Sequence, residues 1–218
     1  MRSEAAASGM RAPQDRTGGG GLRSPPVPRA SLLAAIVAVL TALALPAAES
    51  PAATDCANAT VAPTAKNRTA AAKALRCLIQ AARADRRLPA LTPNKALQRA
   101  ADRFALQMGS KRFFSHTSPN GDTVCKRIRA AGYPAGAQVS EALGWGLKSS
   151  ATPKELLRTL MSDAPHRAIL LSRSLKDIGV GLAAEPPIKG EREKGATAVV
   201  DIARKGKAKA GGTVRCSR

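Results

Sequence analysis

From residue 64 onward, apolar residues recur at helical spacing. Ala71, Leu75, Leu78, Ile79 and Ala82 form one stripe and predict a first helix over about 64–87, ended by Leu88-Pro89-Ala90-Leu91. A second stripe, Leu97, Ala101, Phe104 and Met108, predicts a helix with Thr92 as N-cap and Pro93 at its first position, stopping near Lys111. Pro119-Asn120-Gly121 is a turn signal. A short basic helix over about 123–131 follows, closed by Gly132. Residues 139–145 read as a short strand or extended loop. Thr152 and Glu155 have capping-box spacing at the start of a fourth helix, whose buried face is Leu156, Leu157, Leu160 and Met161. Residues 164–170 continue as a short helix. Over 177–184, Ile178, Val180 and Leu182 alternate with Gly179, Gly181 and Ala183, and 196–204 carries Val199, Val200 and Ile202. These two stretches predict strands joined by a charged, turn-rich connection over 186–195.

Helices dominate the first part and strands the last. That order predicts an α+β fold: a small antiparallel sheet of about three strands flanked by helices. Residues 64–204 form the domain, 49–63 an Ala/Pro/Thr-rich linker and 205–218 a basic, Gly-rich tail. Much of the hydrophobic 44% is alanine and only 2% of residues are aromatic. The expected core is therefore thin, made of Leu, Ile, Val and Ala between closely approaching layers.

The apolar run over 31–46 has no charge, follows Arg23 and Arg29, and precedes Ala47 and Ala48. This is the pattern of a secretory signal, and it is short for a membrane span. Residues 1–48 are read as leader and signal peptide, with an uncleaved anchor as the alternative. A membrane contact is expected only through that segment. Either way the domain is expected outside the cytoplasm, secreted or on the cell surface. Four cysteines agree with export. They allow three pairings; Cys56–Cys77 with Cys125–Cys216 is preferred, since it ties the linker to the first helix and fastens the tail. No C-x-x-C pair is present, against a zinc finger.

The formal net charge is +20 over the whole chain. From residue 49 onward there are 30 basic and 13 acidic residues, a net +17. Such a field favours anionic partners: teichoic-type polymers or acidic lipid surfaces of the cell envelope. One Trp, one Tyr and three Phe offer few stacking platforms, which argues against nucleic acid. A monomer is expected.

Three residues are candidates for chemistry. His116 and His166, the two histidines, both lie beside proline-containing turns. Glu141 sits in a stretch that otherwise reads as buried, where a carboxylate needs a partner. Two imidazoles and a carboxylate suffice as ligands for zinc or another divalent metal, and equally for metal-free acid–base work. There is no G-x-S-x-G elbow and no H-E-x-x-H pattern.

Phe114-Ser115-His116-Thr117-Ser118-Pro119-Asn120-Gly121 resembles the F-S-H-x-S-P-x-G element of bacterial CAP (SCP-like; cysteine-rich secretory, antigen 5 and pathogenesis-related) domains. Ser140-Glu141-Ala142 falls where that family has G-E-N, Met161 to Leu170 resembles M-x-S-P-G-H-R-x-N-I-L, and Ile178-Gly179-Val180-Gly181 matches I-G-V-G. The resemblance implies an α-β-α sandwich with a large cleft, and His116, Glu141 and His166 fall on its cleft positions. It also implies an extracellular binding or interaction role with lipid, sterol or wall partners. A metal-dependent hydrolase is the alternative. Ser140, Ala142, Leu160 and Pro165 depart from the family's usual residues.

Overall fold

The computed structural model describes residues 56–191, 194–206 and 213–216. The expected signal or anchor, the first part of the linker and most of the tail lie outside the described residues. Among the described residues, no helix is long and apolar enough to cross a membrane.

The elements run α1 (Arg68–Ala84), β1 (Thr92–Pro93), α2 (Lys95–Lys111), α3 (Val124–Ala130), β2 (Gln138–Leu147), a 3₁₀ turn (Lys148–Ala151), α4 (Pro153–Ser162), α5 (Ala164–Leu170), β3 (Asp177–Ala183), β4 (Gly195–Arg204) and β5 (Val214–Arg215). The sheet has five strands rather than three, in the order β1-β3-β4-β2-β5. Its centre is the antiparallel trio β3-β4-β2, as the apolar alternation implies. The two additions are two-residue edges: β1 pairs parallel with β3, and β5 antiparallel with β2.

The β1 edge also corrects the predicted start of the second helix. Thr92 and Pro93 are strand, and Asn94 is the cap, its side-chain oxygen accepting from the backbone N–H groups of Ala96 and Leu97. The N–H of Thr92 reaches Lys176 O and that of Asn94 reaches Ile178 O, at 2.7 and 2.9 Å. Pro93 between them needs no donor, which suits an edge strand. At the fourth helix Thr152 caps as predicted, accepting from the N–H of Glu155, while the Glu155 carboxylate pairs with Arg158 at 2.7 Å.

Helices cover both faces of the sheet. On one face α1, α4 and α5 pack Leu75, Ile79, Leu156, Leu160 and Leu170 against Ile178, Val180, Val200 and Ile202. On the other, α2 and α3 pack Leu97, Phe104, Met108 and Ile128 against Val139, Leu143, Val199 and Ala203. The second face explains the glycines of β3. A Cβ on Gly179 would lie 2.2 Å from the backbone of Leu97, and one on Gly181 2.2 Å from that of Ala101. With no side chains there, α2 rests almost on the sheet backbone, the close approach that an Ala-rich, aromatic-poor core requires.

Two cross-links and one buried cation tie the periphery down. Cys56–Cys77 and Cys125–Cys216 are both bonded, the pairing preferred from sequence. Arg83, almost wholly buried, donates to the carbonyls of Pro89, Leu170 and Ser172, joining the end of α1 to the end of α5. Burial, with Arg173 adding to it, pulls its pKa down, while the carbonyls supply the hydrogen bonds a buried guanidinium needs.

Candidate functional site

The 115–122 loop is folded by its own polar side chains. The buried Ser118 hydroxyl accepts from the N–H of Asp122 at 3.0 Å and donates to Asn120 Oδ1 at 2.5 Å. Gly121 takes φ +81°, a conformation other residues adopt only at a cost. Lys126 and Asn120, donating to the Asp122 carboxyl, hold it below its ordinary range. This turn sets His116 at the start of the loop over strand β2.

Thr123 caps α3 through its side-chain oxygen, and one turn later the helix presents Arg127. The Arg127 guanidinium lies over the Phe104 ring, 3.3 Å from its centroid. Nη1 donates to the carbonyls of His116 (2.9 Å) and Asp122 (2.7 Å), and Nη2 to Glu141 Oε2 (2.5 Å). One side chain thus joins α2, the loop, α3 and β2. The other Glu141 oxygen, Oε1, is 2.7 Å from His116 Nδ1. The exposures grade outward: the side chains of Glu141, Arg127 and His116 are 2%, 9% and 62% exposed.

Behind Glu141 stands a second acid. Asp201 on β4 is its direct partner in the β2–β4 register and is almost completely buried. Burial first, then the Glu141 charge, push its carboxyl well above the ordinary range, and Arg127 pulls the other way. Neither Asp201 oxygen finds a donor group. The pair is satisfied when Asp201 keeps its proton and donates it to Glu141.

A cavity of about 220 Å³ opens at this point, lined by His116, Val124, Val139, Ser140, Glu141, Ile169 and Val214. Two of the three sequence candidates therefore meet. His166 does not line this cavity. It lies in the first turn of α5, where Asp163 Oδ1 accepts from its backbone N–H at 3.0 Å and lies 3.1 Å from its Nδ1. Helix α5 does reach the cavity, through Ile169 one turn after His166, while its Leu170 packs into the core on the other side of the sheet.

Among the described residues, no three His, Cys, Asp or Glu side chains are grouped to hold a metal ion. Both Glu141 oxygens are already engaged, by His116 and Arg127, and His166 is engaged by Asp163. His116 and Glu141 form a hydrogen-bonded dyad. An imidazole that donates Nδ1–H to Glu141 keeps the Nε2 lone pair as an acceptor at the cavity mouth.

Sequence reasoning missed Arg127 and Asp201. Arg127 gave no signal among many basic residues. Asp201 did give one, an acid inside the apolar run Val199-Val200-Asp201-Ile202, the same kind of signal that singled out Glu141.

Among solved structures, an extracellular protein containing an SCP domain from Bacillus anthracis str. Ames superposes with a TM-score of 0.51 at 17% identity, covering 66% of this chain and 44% of that one. An outer surface protein from Borrelia burgdorferi gives 0.52 at 19% identity, covering 66% and 98%. This chain therefore spans less than half of the Bacillus protein. At these identities the likeness establishes the fold. No curated protein matches the chain. The family description "Cysteine-rich secretory protein family" matches residues 78–190, which hold the turn carrying His116, the strand carrying Glu141, the helix carrying His166 and the I-G-V-G strand. With more than half of its length so matched, and with the helix–sheet–helix layers in place, the chain belongs to the CAP family.

Proposed function

We propose that the chain works outside the cytoplasm as a binding module of the cell envelope and that its partner is an anionic, phosphate-bearing polymer. The observation that carries this reading is the charge: 30 basic against 13 acidic residues from position 49 onward. At +17, binding to a polyanion is a direct physical consequence of the field. Two disulfides, with no free cysteine among the described residues, support an oxidising location. The test is co-sedimentation with cell-wall sacculi that carry a phosphodiester polymer, beside sacculi stripped of it. Binding that needs the polymer and is lost at high salt supports the reading. Equal binding to both preparations, or none to either, contradicts it.

The His116–Glu141 hydrogen bond favours a second reading, hydrolysis without a metal. With Glu141 holding Nδ1, Nε2 can take a proton from an attacking water. Hydrolysis of acyl esters in the presence of a chelator, abolished by His116→Gln, would support it. That variant should leave polymer binding unchanged.

A further inference from the structure

Two open grooves lie side by side on the α3 side of the domain, outside the cleft. The larger, about 660 Å³, is lined by Lys126, Arg129 and Arg215 together with Thr123, Cys125 and Ala130. The smaller, about 220 Å³, runs between α2 and α3 and has Arg103, Lys126 and Arg127 in its wall. Lys126 and Ala130, one turn apart on α3, belong to the walls of both, so the two adjoin along that helix. Arg103, Lys126, Arg129 and Arg215 are all exposed. The single acid in either wall is Asp122, already paired with Lys126 at 2.5 Å. Arg127 Nε, in the wall of the smaller groove, is buried with no partner.

Strand β5 connects this surface to the cleft. Successive strand residues point to opposite sides. Val214 lines the His116/Glu141 cavity, and Arg215 lines the larger groove. The next residue, Cys216, is bonded to Cys125 of α3, which keeps Arg215 beside Lys126 and Arg129.

The geometry points to this α2–α3–β5 groove as the binding site of a phosphodiester-linked anionic polymer. The inference rests on the polyanion reading above and adds its place: cations converge from three elements, and an acid is nearly absent. Each phosphate neutralised by a Lys or Arg releases condensed counterions, which makes such binding strongly salt-dependent.

The experiment measures the affinity of soluble poly(glycerol phosphate) for three forms of the protein: wild type, the groove pair Lys126→Gln with Arg215→Gln, and a control pair on α4, Lys154→Gln with Arg158→Gln. The two pairs change the net charge equally, and circular dichroism confirms that each is folded. The groove pair should lose about tenfold in affinity and about 1.5 from the slope of log K against log salt, the control pair less than twofold. Equal losses in the two pairs would overturn the groove while leaving the polyanion reading intact. No binding by the wild type at low salt would overturn both. Binding to phosphatidylglycerol vesicles in place of the soluble polymer would overturn the polymer assignment.

Discussion

Glu141 of β2 and Asp201 of β4 stand opposite each other inside the protein, and of the two the cation Arg127 hydrogen-bonds Glu141 alone. One guanidinium neutralises one carboxylate. The second acid is therefore accommodated with its proton on, and Glu141, gripped from both sides, holds His116 in a fixed orientation.

The sign of the resulting pH dependence follows. Asp201 has a raised pKa in the folded protein, so the native state binds its proton more tightly than the unfolded chain does. Its contribution to stability is fully present below the ordinary value of 3.8 and is lost as pH rises through the raised native value. Asp201→Asn, which keeps the shape and cannot ionise, should be at least as stable as wild type at pH 8. The gap in Tm should widen in the variant's favour between pH 4 and pH 9. Parallel Tm profiles would contradict a proton on Asp201.

Arg127→Lys keeps the charge but cannot reach His116 O, Asp122 O and Glu141 together or lie flat on Phe104. It should cost about 2–3 kcal/mol in denaturant unfolding. His116→Gln, at an exposed position, should cost less than about 1 kcal/mol. A smaller loss at Arg127 than at His116 would mean that the guanidinium does not organise the site.

Gly181→Ala places a methyl group 2.2 Å from the backbone of Ala101. Backbone cannot move aside as a flexible side chain can, so α2 must lift from the sheet. The expected cost is about 3 kcal/mol or more, measured by urea unfolding. An unchanged midpoint would refute the tight α2–β3 contact.

Much of this architecture is legible in the sequence. The stripes of α1, α2 and α4 and the alternation of β3 each depend on local periodicity, and the disulfide pairing followed from which segments needed fastening. The misses depend on partners distant in sequence. Thr92 and Pro93 look like a helix start until the Lys176 and Ile178 carbonyls are placed beside them. Val214 and Arg215 carry no strand signal in a Gly-rich tail, and become an edge strand because Cys216 is bonded to Cys125. At the site, Glu141 was readable as a buried acid and His116 as a loop histidine. The identity of the paired cation was not, because many arginines were eligible and the choice is made by α3 packing on Phe104. His166 is held by Asp163 while Ile169, one turn on, reaches the cavity, and residue spacing does not contain which side chain of α5 lines it.

The Cys125–Cys216 bond closes a span of 91 residues, so removing it should cost about 4–5 kcal/mol through the unfolded state. The replacement Cys125→Ser with Cys216→Ser should also release Arg215 from the groove. Thermal melts should show the stability loss, and hydrogen exchange should show lost protection of Val139, whose strand β5 pairs with. Unchanged exchange there would mean that β5 holds its place without the bond.

The central claim, polyanion binding through the α3 groove, is tested most directly by the slope of log K against log salt for wild-type protein and soluble poly(glycerol phosphate). Four to five cations lining the groove predict a slope of about −3 to −4. A flat dependence, or no binding at low salt, would contradict the account.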